Sequence, residues 1–126
     1  MILIFGGAYQ GKLDYALERF GLERGDVWFC GEDNAEIDTD KRVIYGLEEW
    51  ILALVREGRD VRECVTELLP RLEDRIVVVA DVSAGVVPMD ATLRAWREEV
   101  GRATVRIAQA ADEVIRVFVG IPTRIK

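Results

Sequence analysis

The chain has no histidine among its 126 residues, and that absence excludes more chemistry than any motif present can establish. Without imidazole there is no Ser/His or Cys/His nucleophile pair, no His-ligated zinc site and no phospho-histidine or nucleotidyl-histidine intermediate. Cysteine is nearly as scarce. Cys30 and Cys64 are too few for a disulfide framework, and their settings, a strand end and a helical pattern, favour buried thiols over a redox pair. No apolar run reaches the roughly 18 residues of a membrane span, and no basic leader with a cleavage site opens the chain, so a cytoplasmic protein is the expectation. Basic charge is also in short supply. Seventeen Lys and Arg against 23 Asp and Glu give a net charge of -6, which argues against nucleic acid as the main partner. What is plentiful is apolar side chain, 50% of the residues, enough for a core and, at this length, for one domain over residues 1–126.

The richest local signal is the opening, MILIFGGAYQGKLDYALERF. An apolar strand, Ile2 to Phe5, runs into Gly6 and Gly7, then Gly11 and Lys12, then a helix from about Lys12 to Phe20 with Gly21 as its stop. Gly6-x4-Gly11-Lys12 has the spacing at which backbone N–H groups cradle phosphate at a helix N-terminus while the lysine reaches the outer phosphates. The last position departs from the motif. Leu13 stands where a Ser or Thr would place its hydroxyl on Mg2+, so the turn is suited to holding a phosphate and poorly equipped to transfer one. It is a degenerate Walker A sequence.

Beyond it the elements alternate as in a parallel sheet with crossover helices. Strands are expected at Val27 to Cys30, Arg42 to Tyr45, Arg75 to Ala80 and Glu113 to Val119. Helices are expected at Leu47 to Arg56, after the Asp60 cap as far as Pro70, and for some twenty residues after the Asp90 cap. The stretch GEDNAEIDTD reads as a solvated loop, with a cation site as the lesser alternative. The run IVVVA delivers Asp81 to the carboxyl edge of the sheet, where open α/β sheets bind ligands, beside a loop holding Ser83, Gly85 and Pro88. Asp81 is equally well read as a ligand contact or as a polar strand end. Leu93, Trp96, Val100, Ala103, Ile107 and Ala110 form the expected buried stripe of the long helix. Arg94, Arg97, Arg102 and Arg106 ride beside it, mostly as a solvated face, with Arg94 and Arg97 nearest the crevice. A basic tail, Thr123 to Lys126, closes the chain.

Three stretches, ILIFGGAYQGK, VVVADVSAGVVP and REEVGRATVRIAQAADEVIRVFVGIPTRIK, resemble the bifunctional adenosylcobinamide kinase/adenosylcobinamide-phosphate guanylyltransferase family of cobalamin biosynthesis. The resemblance implies a single-domain α/β P-loop (RecA-like) fold, a mostly parallel sheet flanked by helices. It implies phosphate or nucleotide binding by Gly6, Gly7, Gly11 and Lys12, with Asp81, Arg94, Arg97 and Arg102 as ligand contacts at family-matching positions. It also implies homotrimers.

The chain departs from that family where its chemistry is done. Besides Leu13, Tyr45 stands where members carry the acidic residue of the following strand, so both metal anchors are missing on this reading and no metal site is assigned. Asp14 is the nearest acidic substitute. The family's histidine-bearing helix is shortened to the acidic loop around Asp33 to Asp40, and Thr104-Val105 replaces the usual Asn-Gln. The expectation is a reduced relative that binds ATP, GTP or a phosphorylated corrinoid, with little part for Mg2+, guanylyl transfer lost and kinase activity weakened or lost; no catalytic residue is assigned. The alternatives are an adenosylcobinamide kinase with rearranged metal ligands and a non-catalytic structural or interaction scaffold.

Overall fold

A computed structural model describes residues 1–7, 11–82 and 90–126. The middle of the glycine turn, residues 8–10, and the expected loop residues Ser83, Gly85 and Pro88 lie outside the described residues. Six strands, β1 (Ile2–Gly6), β2 (Val27–Phe29), β3 (Val43–Tyr45), β4 (Ile76–Ala80), β5 (Glu113–Phe118) and β6 (Ile121–Arg124), form one sheet in the order β2-β3-β4-β1-β5-β6. All neighbouring pairs are parallel except β5 with β6. Helices α1 (Lys12–Phe20), α2 (Leu47–Arg56), α3 (Val61–Leu68) and α4 (Ala91–Ala110) cover its faces. This is the expected mostly parallel α/β sheet flanked by helices.

The pleat explains why β1 and β4 read as unbroken apolar runs. Successive residues point to opposite faces, and both faces are covered. Leu3, Val77, Val79 and Val114 join α2, α3 and α4 in the larger core through Trp50, Ile51, Leu54, Val65, Val100 and Ile107. Ile4, Ile76, Val78, Ile115 and Val117 face the other way and join Ala16, Leu13, Leu17 and Phe20 of α1. Burying one Leu, Ile or Val side chain contributes roughly 1.5–3 kcal/mol, so the two layers hold β1 from both sides. Gly6, its last residue, is required by crowding: a Cβ there would run into the carbonyl oxygen of Val117 on β5.

One element was not anticipated and one expectation is corrected. The basic tail contributes to a strand: β6 pairs antiparallel with β5, and Lys126 Nζ donates to the carbonyls of Ala108 and Gln109 at 3.2 and 3.1 Å. Ala110 is exposed, because α4 ends there and Ala111 takes the buried place. The acidic segment is a loop, as expected, but it is strapped down. Ile37 is buried, and the carbonyls of Ala35, Ile37 and Thr39 accept hydrogen bonds from Trp50 (2.7 Å), Arg71 (3.2 Å) and Arg75 (2.7 Å). The carboxylates stay outside while the backbone is satisfied from within. Among the described residues no helix is long and apolar enough to cross a membrane.

Candidate phosphate-binding site

At the carboxyl edge of β1 the chain turns through Gly6 and Gly7 and enters α1 at Gly11, whose left-handed backbone (φ 84°) is the conformation that favours glycine. Gly11 at the N-cap has no side chain with which to cap the helix, so among the described residues the first-turn N–H groups receive no side-chain cap from that position. An uncapped helix N-terminus attracts anions through those donors and through the helix dipole. Lys12, the first helical residue, is buried, 5% exposed, and its Nζ donates to the Gly7 carbonyl at 2.6 Å. The ammonium is thus folded under its own turn.

Glu48 shares this setting, and sequence reading missed it. It lies in the first turn of α2, three residues beyond Tyr45. Its Oε1 accepts the Ala80 N–H at 2.8 Å, placing the carboxylate against the end of β4. Burial pushes the Glu48 carboxyl up, against the pull of the Ala80 N–H, its own backbone N–H and the Lys12 charge. Burial pushes Lys12 down, opposed by Glu48. The two groups therefore act on one another at the edge of β1 and β4. Trp96 of α4 fixes this corner, its indole N–H donating to the Glu48 carbonyl at 2.7 Å. Sequence reasoning passed over Glu48 because acids in a helix's first turn are ordinarily explained by the dipole.

Asp81 follows directly; its N–H donates to the Gly6 carbonyl at 2.7 Å, which ties the end of β4 to the start of the turn. It also lines a largely apolar cavity of about 330 Å³ between α4 and the sheet, together with Arg97, Phe5, Val79 and Thr104. The structure thus brings Gly6, Gly7, Gly11, Lys12 and Glu48 to one corner and places Asp81 and Arg97 in the adjoining cavity. Arg94 is exposed on the first turns of α4. Arg102 points elsewhere: it is exposed and pairs with Glu98 (2.6 Å) and Glu99 (3.0 Å).

The position that would anchor Mg2+ in a complete motif does not fit the ion. Leu13 is half-buried and packs into the apolar layer with Ile4 and Ala16, and Asp14 beside it is exposed. Among the described residues no group of three or more His, Cys, Asp or Glu is arranged to hold a metal. Burial, and then the charges of Glu48 and Glu49, push the Cys30 thiol up to about 12, which disfavours the thiolate form.

A mostly parallel sheet with a glycine turn and buried lysine at the end of a central strand defines an α/β protein of P-loop-like fold. Compared with known families, the chain matches the model for cobinamide kinase / cobinamide phosphate guanyltransferase (CobU) over residues 34–125, and it belongs to that family. No curated protein matches it. The match begins at Asn34, after the Gly6–Lys12 turn.

Proposed function

We propose that the protein is a reduced member of its family that holds the phosphates of ATP, GTP or a phosphorylated corrinoid at the Gly6–Lys12 turn, as one domain serving cobalamin biosynthesis. The observation that carries this reading is the buried Lys12 ammonium on the Gly7 carbonyl, beside the uncapped start of α1. A buried cation needs partners, and a phosphate entering the turn would replace the Gly7 carbonyl with a stronger, charged acceptor. Guanylyl transfer through a nucleotidyl-histidine is outside this chain's chemistry, because it has no histidine. Kinase activity is weakened, since Leu13 offers no oxygen to the metal that would stabilise charge in phosphoryl transfer.

A second reading, an adenosylcobinamide kinase with rearranged metal ligands, is favoured by Glu48. With Asp81 it places two carboxylates at the edge of β4, and Mg2+ is commonly held by one or two carboxylates plus substrate phosphates. Thermal unfolding in inorganic tripolyphosphate tests the proposal. A ligand that binds only the folded state at a hundred times its Kd stabilises by about 2.7 kcal/mol. The wild type is expected to melt higher with tripolyphosphate, and Lys12→Ala to show no shift. Equal shifts in both would remove the turn from the account.

A further inference from the structure

The turn joining β5 to β6 carries features that phosphate binding alone does not use. Val119 and Gly120 both have positive φ, 52° and 73°, as a two-residue hairpin of the twisted type requires. Such turns favour Asn-Gly, and a β-branched residue in the left-handed region is an outlier costing on the order of 1–3 kcal/mol. Burial does not offset this, because Val119 is 65% exposed. Its neighbours Phe118 and Ile121, paired across the hairpin, are 60% and 66% exposed. Three large apolar side chains are thus held in water at the tip of one turn.

The position of the tip gives them a use. Gly120 Cα lies 3.4 Å from where a Cβ on Gly11 would stand, so the hairpin tip packs on the glycine turn itself. The Arg116 guanidinium sits over the Phe118 ring at 5.7 Å from its centroid, a cation–aromatic pair of the kind on which planar bases stack.

We propose that Phe118, backed by Arg116 and presented by the strained Val119-Gly120 turn, is a stacking platform for the base of a nucleotide whose phosphates occupy the Gly6–Lys12 turn. The inference rests on the phosphate-holding reading and names a nucleoside polyphosphate, rather than a bare phosphate chain, as the ligand of that turn. Stacking needs a flat aromatic face, which a nucleobase offers and a bare phosphate chain lacks. The Arg116 cation additionally suits an anionic ligand.

Calorimetric titrations of ATP and of inorganic tripolyphosphate into the wild type, Phe118→Ala and Phe118→Tyr separate the two ideas. The side chain is largely exposed, so the variants are expected to fold, which circular dichroism checks. ATP is expected to bind the wild type more tightly than tripolyphosphate. Phe118→Ala is expected to lose about tenfold in ATP affinity, the scale of one base–aromatic stack, with tripolyphosphate unchanged and Phe118→Tyr restoring the loss. Three results would overturn the platform while leaving the phosphate turn intact: ATP binding no tighter than tripolyphosphate, Phe118→Ala leaving ATP binding unaltered, or an equal loss for both ligands. Binding of neither ligand to the wild type would overturn both readings.

Discussion

Burial shifts both Lys12 and Glu48, and each group opposes part of the other's shift. Burial lowers the Lys12 pKa from its ordinary 10.5, and Glu48 opposes that fall. If the proposed anion site depends on the lysine proton, its affinity is expected to be complete below the lowered pKa and lost as pH rises through it, ahead of an ordinary lysine. Stability of the free protein moves the other way in that window. The unfolded chain, with its ordinary lysine, holds the proton longer, so unfolding becomes harder as pH rises. Glu48 has the opposite sign: its raised pKa means that stability falls as pH climbs from the ordinary 4.5 through the raised value. Glu48→Gln keeps an acceptor for the Ala80 N–H and removes the charge that supports Lys12. The alkaline break in tripolyphosphate affinity is then expected at lower pH than in wild type. A break that stays put in Glu48→Gln would separate the two groups. None of this coupling was legible in sequence, because Glu48 reaches Lys12 only through the pairing of β3, β4 and β1.

Among the elements, α1 carries the conflict between packing and chemistry. Among the described residues it is the one helix in the apolar cluster on its face of the sheet, and Leu13 belongs to that contact. Leu13→Ser would restore the missing hydroxyl at the expense of apolar contact. The variant is expected to lose about 1–2 kcal/mol in urea unfolding, less than a fully buried leucine would cost. It is also expected to gain Mg2+-dependent tightening of ATP binding, whereas an unchanged stability would show that Leu13 does not pack. The elements most legible in sequence were those with two-sided burial or clean caps. β4 announced itself by IVVVA, and α4 by Asp90, which accepts from the N–H groups of Thr92 and Leu93 at 2.8 and 3.1 Å. β6 was not legible, because Ile121–Arg124 is short, contains Pro122 and buries no side chain. Its existence depends on the edge that β5 leaves open.

For the whole molecule, a net charge of -6 makes any polyphosphate site local, since the overall field repels the ligand. On the proposed reading, the turn would offset that repulsion with the buried Lys12 cation and the first N–H groups of α1, held by strands drawn from both halves of the chain. The family was legible from its terminal stretch, and the match over residues 34–125 includes that stretch. The glycine turn was legible as spacing, whereas the grouping of Asp81 with Arg97, and the separation of Arg102 from both, required the path of α4 across the sheet. The most direct test is calorimetric titration of ATP and GTP, with and without Mg2+, into wild type and Lys12→Ala. Saturable one-site binding to the wild type is expected, little altered by Mg2+ because Leu13 gives the ion no anchor, with no binding to Lys12→Ala. Absence of nucleotide binding to the wild type, or equal affinity in Lys12→Ala, would contradict the phosphate-holding reading.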